Sequence, residues 1–298
     1  MDDILKIESI SEYNKLRGLE TFHPLVTVFD FAEVGAMPSL AFNLNLFAVY
    51  LNDLKCGILK YGRNHYDYQE GTLIFVAPRQ VMRVKHRLKE FTPQGWGLLF
   101  DAELLKGTSL AQRIKDYTFF SYDVNEALHL SDAEREIVLD CFTKIQNELR
   151  HAVDKHSKML IASNIELLLN YCIRFYDRQF ITRENENRGI LEKFERLLYE
   201  YFLSDKPKTI GLPSVAYCAE KFHLSASYFG DLIKKETGKT AKEYIQGKII
   251  EIAKHKIFDE HKTVNEIAEE LGFKYPQHFT RFFKQQVGHT PIEYRRMN

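Results

Sequence analysis

Two periods divide the hydrophobic and polar positions of this 298-residue chain. In the first third, apolar residues come in short runs at 25–31, 46–51, 56–61, 72–77, 81–85 and 96–100, separated by polar turns such as Asn52-Asp53 and Arg63-Asn64. The runs are rich in β-branched and aromatic residues, which predicts strands. Short strands at this spacing predict a small sandwich or barrel. The mixed residues before about Phe22 are read as an arm packed on it. From Ser131 the period becomes helical. Ser131 and Glu134 form a capping box, and Ile137, Val138, Cys141, Phe142, Ile145 and Leu149 make one stripe. A second helix is expected over 157–177. The charged stretch 178–189 reads as a linker, and 190–203 as an amphipathic helix that opens another domain.

The last part of the chain has the sharpest pattern. Thr263 and Glu266 form a capping box, Ile267, Ala268 and Leu271 share a face, and Gly272 ends the helix. Pro276 suits the first turn of the next helix, whose apolar face is Phe279, Phe282, Phe283 and Val287. Gly288 ends that helix, and Thr290-Pro291-Ile292-Glu293 starts a third. With the phenylalanines buried, Gln277, His278, Arg281, Lys284 and Gln285 point outward. An acidic helix carrying Glu266, Glu269 and Glu270, followed by a basic, amide-rich one, is the layout of a helix-turn-helix whose second helix enters the major groove.

This pattern occurs twice. Phe229, Ile233, Lys234, Gly238, Thr240, Glu243 and Tyr244 precede Phe279, Phe283, Lys284, Gly288, Thr290, Glu293 and Tyr294 by a constant fifty residues, a spacing that marks a duplicated unit. Ser214 and Val215 precede Thr263 and Val264 by one residue less. A helix over 241–258, about 27 Å long at 1.5 Å per residue, joins the two. The pair resembles the tandem helix-turn-helix domain of the AraC/XylS family of bacterial transcription regulators. The residues that carry the resemblance are Ala268, Gly272-Phe273, Phe279, Phe283-Lys284, Gly288 and Thr290-Pro291, and it covers the last ninety to one hundred residues.

The resemblance implies an α+β multidomain chain. Residues 1–130 would be a cupin-like β-barrel or sandwich that senses an effector, with 70–78 similar to the family's Gly–strand–Pro segment. Residues 131–180 would be a helical connector, read either as dimerisation helices of a homodimer or as an intramolecular pair. Residues 181–189 would be the linker, and 190–298 the all-α, homeodomain-like, tandem helix-turn-helix domain. The implied partners are a double-stranded DNA operator, a small-molecule effector and RNA polymerase, and the implied role is activation. Base readout falls to Gln277, His278 and Arg281. Backbone contacts fall to Ser225, Ser227 and Lys234 in the first unit, and to Lys274, Tyr275, Thr280 and Lys284 in the second. Asp231, on the groove side of the first reader, suits a polyanion poorly. For the effector, Tyr50, Tyr61, Arg83, His86 and Trp96 are the candidates, a concave apolar site with a few polar groups being the requirement.

Composition narrows the alternatives. Lys and Arg balance Asp and Glu at 41 each, which excludes a bulk electrostatic binder but not a modular one with a basic face. No leader-like segment and no apolar run long enough for a bilayer are present in this sequence, so a cytoplasmic protein is expected. Cys56, Cys141, Cys172 and Cys218 lack CxxC spacing and read as reduced core thiols. His65, Asp67, Glu70 and His86 are read as turn residues in preference to a metal set, and no cofactor is expected. With no nucleophile elbow, phosphate loop or GxGxxG, an enzyme is not expected. Two other readings remain: a DNA-binding protein without a ligand, whose N-terminal half only dimerises, and a cupin-type metalloenzyme fused to a DNA-binding domain.

Overall fold

The first third does form strands, and they fall into two sheets. The computed structural model describes residues 4–34, 41–52, 71–83, 94–123, 126–151, 154–182, 184–259 and 261–297. Strands β1 (Ile4–Ile7), β3 (Ala41–Leu44) and β6 (Val81–Arg83) make one sheet in the order β1-β3-β6, with β1 parallel to β3. The other sheet runs β2-β7-β4-β5-β8 and is antiparallel throughout. Its strands are β2 (Val26–Asp30), β4 (Phe47–Asn52), β5 (Thr72–Val76), β7 (Gly95–Phe100) and β8 (Leu128–His129). The expected strand at 56–61 lies outside the described residues.

Side chains from both sheets meet in one core. Ile7, Phe42 and Leu44 come from the smaller sheet, and Phe29, Ala48, Tyr50, Val76 and Leu99 from the larger. The opposite face of the larger sheet is covered as well. Phe75 lies against Phe119 at 4.4 Å and Phe120 at 5.5 Å between ring centroids, and Phe47 stacks on Phe100 at 5.1 Å. Strand β4 is therefore buried on both sides. That is why 46–51 reads as an unbroken apolar run instead of an alternation. Gly97 permits a close approach: a Cβ there would stand 2.4 Å from the Phe29 ring. The glycine beside Trp96 thus serves the packing of Phe29, a contact no local pattern announces.

The N-terminal residues are more than an arm. Helix α1 (Ile10–Arg17) is capped by Ser9, and its Ile10 and Tyr13 join the core between the sheets. Beyond β7 come two short helices that the apolar pattern did not announce, α2 (Ala102–Leu105) and α3 (Ser109–Arg113). Helix α4 (Asp132–Arg150) starts with the expected capping box, and it packs on α5 (Ser157–Thr182). Arg178 of α5 forks onto Glu134, Nε to Oε1 at 2.9 Å and Nη2 to Oε2 at 2.8 Å. Helices and sheets belong to one compact unit, Met1–Thr182.

The second unit, Arg183–Asn298, is helical. It holds α6 (Glu184–Leu203), α7 (Lys206–Ile210), α8 (Val215–Lys221), α9 (Ala226–Thr237), α10 (Ala241–Ile257), α11 (Val264–Glu270), α12 (Pro276–Val287) and α13 (Pro291–Met297). The stretch 181–189, read above as a linker, is helical on both sides of Arg183: α5 runs to Thr182 and α6 begins at Glu184, six residues before the expected start. Polarity alone does not break a helix, and Glu and Arg cost little in one. Among the described residues, no helix is long and apolar enough to cross a membrane.

Candidate nucleic-acid interface

The duplicated sequence pattern folds into a duplicated structure. Phe229 and Phe279 are both fully buried, as are Ile233 and Phe283. Gly238 and Gly288 both end their helices in the left-handed region, at φ 72° and 89°. Each donates its N–H at 2.9 Å to the carbonyl of the lysine four residues back, Lys234 or Lys284. Thr240 with Glu243, and Thr290 with Glu293, exchange reciprocal capping bonds. Tyr244 packs on Phe194 at 5.4 Å, and Tyr294 on Phe283 at 5.5 Å.

Helix α10 holds the pair. Its seventeen residues span about 25 Å, and it packs on both α9 and α11. Ile250, Ala253 and Ile257 enter a core with Ile267, Ala268, Leu271, Phe279 and Phe283. Arg295 of α13 closes the end of α10, donating from Nε to Ile257 O at 2.5 Å and from Nη2 to Lys262 O at 2.9 Å. Ile257 O is one of the carbonyls that a helix C-terminus leaves unpaired and Lys262 O belongs to the loop before α11, so the basic run at 295–296 is partly internal.

Helix α12 buries Phe279 and Phe283 and exposes Gln277, His278, Arg281, Lys284 and Gln285. At spacings of three and four these form one continuous polar strip. Its start is ordered by rings. Tyr275 meets His278 edge-on at 5.3 Å, and Lys274 Nζ lies 5.6 Å from the Tyr275 centroid. Tyr275 is the N-cap residue and supplies no side-chain cap; Pro276 has no N–H to satisfy and His278 N donates to Tyr275 O at 3.0 Å, so the positive end of the helix dipole carries no capping side chain. Thr280 is half-buried and donates its hydroxyl back to Pro276 O at 3.2 Å. The acids of α11 are largely engaged: Glu266 in the Thr263 cap, and Glu270 between Lys256 at 2.5 Å and Lys262 at 2.6 Å. For Glu270, partial burial raises the carboxyl, but the two ammonium groups outweigh it and hold it below its ordinary value.

Helix α9 presents a different face. Ser225 caps α9, accepting from Tyr228 N at 3.1 Å, while Ser227 is half-buried and Lys234 exposed. Asp231 stands where α12 has Arg281 and is half-buried.

The effector candidates are scattered. Tyr50 faces the core between the sheets, opposite Gly97 in the register, whereas Trp96 pairs with Leu51 and so lies on the other face of the same sheet. One interior cavity cannot be lined by both. Tyr61, His86 and the Arg83 side chain fall outside the described residues, as do His65, Asp67 and Glu70. Among the described residues, no cluster of three or more His, Cys, Asp or Glu could hold a metal ion. Cys141, Cys172 and Cys218 are buried free thiols, and burial pushes all three up, Cys141 to about 11 and Cys218 to about 12. They suit packing, not nucleophilic attack.

Comparison with known proteins places a helix-turn-helix domain family model on residues 218–297. The chain is 35% identical over 130 residues to the HTH-type transcriptional regulator YobQ of Bacillus subtilis, itself uncharacterized; the match covers 39% of this chain and 53% of YobQ. It is 25% identical over 237 residues to YfiF of the same organism, another uncharacterized HTH-type transcriptional regulator, covering 77% of this chain and 70% of that one. The chain thus spans about half the length of the first relative. Among solved structures, the C-terminal domain of the response regulator yesN from Fusobacterium nucleatum aligns at 26% identity, covering 36% of this chain and 98% of that one, with a TM-score of 0.32.

Proposed function

We propose, from the premise that residues 218–297 of this chain are a helix-turn-helix domain of the AraC type, that the protein is a sequence-specific DNA-binding transcription regulator governed by a small molecule held in residues 1–182. The observation that carries this reading is the strip on α12: amides, a histidine and two cations exposed on a helix whose other face is locked by Phe279 and Phe283. Gln277, His278 and Arg281 read base edges in the major groove. Lys274, Tyr275, Thr280 and Lys284 hold the backbone, and Ser225, Ser227 and Lys234 do the same from the first unit. The rigid α10 sets the spacing, about one helical turn of DNA.

The protein works in the cytoplasm as an activator that engages RNA polymerase, and effector binding shifts an existing equilibrium between its states. Met159, Leu160 and Leu167 on α5 are large apolar residues left exposed, which supports a homodimer contact there. The metalloenzyme reading finds no support in the described residues. The reading without an effector stands until a ligand is found.

Selection of bound sequences from a random duplex pool with the full-length protein tests the proposal. Two half-motifs about ten base pairs apart are expected, the stronger one assigned to α12. A pool that shows no enrichment at moderate salt would overturn it.

A further inference from the structure

Arg17 is a charge inside the N-terminal core with no carboxylate partner among the described residues. It ends α1, is 7% exposed, and among the described residues nothing accepts from its Nε or Nη2. A buried cation is tolerated when something pairs with it, and an unpaired one is costly. Tyr13 lies one turn back on the same face of α1, 1% exposed, and Tyr50 reaches the spot from β4, 6% exposed. Neither phenolic oxygen has a well-formed hydrogen bond among the described residues, although the Tyr13 hydroxyl lies within reach of both Tyr50 and Arg17. The three polar ends converge: the Arg17 charge and the Tyr50 hydroxyl both bear on the Tyr13 hydroxyl. Burial pushes both phenols up, Tyr13 to about 12, with Arg17 pulling the other way. Both therefore keep their protons and can donate.

Arg17 Nε and Nη2 can only donate and the two hydroxyls can do so, while the other unpaired buried atoms, Asn14 and Asn52 Oδ1, are acceptors. Nε and Nη2 form the side edge of a guanidinium, which matches two oxygens of a carboxylate in a fork. The same edge is used elsewhere in this unit, where Arg178 grips Glu134 through Nε and Nη2. Arg17 offers that edge with no internal carboxylate among the described residues. Around it runs a chain of rings, Tyr13 to Phe29 at 5.7 Å, Phe29 to Phe31 at 5.5 Å and Phe31 to Tyr50 at 6.0 Å. This is an apolar setting in which an ion pair is strengthened.

We propose that Arg17, Tyr13 and Tyr50 form an oxyanion-anchoring subsite between the two sheets, which takes the carboxylate or phosphate group of a small effector in a fork on Arg17 and in hydrogen bonds from the two tyrosines. The inference rests on the reading of residues 1–182 as an effector-binding unit and gives that effector a charge. It adds Arg17 and Tyr13 to Tyr50, and it leaves Trp96 out.

Thermal unfolding of the full-length protein tests it, at ionic strength matched with chloride. The probes are acetate, benzoate and inorganic phosphate, with acetamide and benzamide as neutral counterparts. At least one oxyanion raises the wild-type Tm in a dose-dependent way, and the amides do not. Carboxylate against phosphate response tells an organic acid from a phosphate ester. Arg17→Met unfolds at a higher Tm than wild type without probes, since a lone buried charge is gone, and it loses the response. Tyr50→Phe keeps the fold and weakens oxyanion binding roughly ten-fold, the loss of one charge-assisted hydrogen bond; it serves as the test if Arg17→Met does not fold. Wild-type protein indifferent to all three anions, or variants that respond as wild type does, would overturn the proposal. DNA selection is measured separately on the same proteins. A failed anion response thus leaves the DNA reading standing, and failed DNA selection leaves the anion response interpretable.

Discussion

The two helix-turn-helix units share a scaffold and differ in what they show the solvent. Both bury an aromatic at 229 or 279, both stop the reading helix on a left-handed glycine, and both start the following helix with a Thr–Glu capping box. Those features build the unit. The sequence between these features diverges: Ser227 against Gln277, buried Tyr228 against exposed His278, Gly230 against Thr280, Asp231 against Arg281. With His neutral, α9 carries no net charge and α12 carries two positive charges. Packing is thus held constant while chemistry varies, which is what the proposed division into a positioning and a reading copy requires. The turns differ too. The second unit turns at Gly272, φ 90°, and the first at His223, φ 56°, the equivalent place forty-nine residues earlier.

The largest effect that would sharpen this contrast is at Gly272. A Cβ there would lie 2.8 Å from Gly211 C and 2.9 Å from the carbonyl oxygens of Gly211 and Pro207. These are backbone atoms at the end of α7, and they cannot step aside as a flexible side chain would. Gly272→Ala adds the left-handed penalty to that overlap, about 3 kcal/mol together. Loss of helical circular dichroism at lower temperature in the full-length protein is the check. At Gly238 a Cβ meets nothing within 4 Å, so Gly238→Ala costs about 1–2 kcal/mol, the conformational part alone. Equal losses at the two sites would erase the distinction between a turn that needs room and one that needs only a conformation.

The second effect is on DNA. Arg281→Ala costs about 1–3 kcal/mol of affinity for the selected site and relaxes preference at one base, whereas Lys284→Ala weakens all sequences alike and lowers the salt slope by about one. Asp231→Ala, at the matching place on α9, leaves base preference unchanged. Gel-shift titrations over a mismatch series decide it. A base preference that moves with Asp231 and not with Arg281 would reverse the assignment of reader and positioner.

How much of this was legible in the sequence depended on range. The capping boxes, the αL glycines and the phenylalanine faces are set within one turn of helix, and the repeat displays each of them twice. The exposed polar strip of α12 follows from the same period, since fixing Phe279 and Phe283 inward fixes Arg281 outward. The N-terminal unit is different. Tyr13 and Arg17 sit at helical spacing in a stretch read as an arm, and their burial comes from sheets whose strands lie far along the chain. Trp96 and Tyr50 look equivalent as aromatic strand residues, and only the register puts them on opposite faces. Arg295 reads as one more cation in a basic run until its hydrogen bonds to the end of α10 are seen. The polar stretch 181–189 does contain the division between the two units, but its polarity gave no sign that the chain is helical on both sides of Arg183.

Acid should separate the units next. In the second, Glu266 and Glu293 are held below the ordinary carboxyl value chiefly by the capping threonines' backbone N–H groups, and Glu270 is lowered by Lys256 and Lys262 against the opposing effect of burial. In the first, Ser214 and Ser225 cap their helices with tyrosines three residues on, and Glu243 alone of its capping residues is so lowered. A depressed carboxyl contributes stability that is complete above its unfolded value, here 4.5, and is lost as pH falls through the folded value. Denaturant midpoints should therefore hold from pH 7 down to about 5 and drop below 4.5. Hydrogen exchange under those conditions should open α11 before α8, and Glu270→Gln should flatten part of the decline. Simultaneous opening of α8 and α11 would mean the two units respond to acid as one.

The smallest effect returns to the turn. His223 is exposed and adopts φ 56°, a region where a side chain costs about 1–2 kcal/mol relative to glycine, and histidine is among the residues that tolerate it best. His223→Gly relieves that strain but gives the unfolded chain more freedom, which takes back about 0.5–1 kcal/mol. The expected gain is therefore at most about 1.5 kcal/mol, visible as a small rise in the urea midpoint with the slope unchanged. His223→Ala keeps the Cβ and its strain, so it should gain nothing. If alanine stabilised as much as glycine, the cost at 223 would lie in the imidazole and its surroundings, and the two turns would differ in side-chain chemistry instead of backbone strain. If glycine alone stabilised, the first unit would carry strain at the position where the second is built around a residue without a side chain.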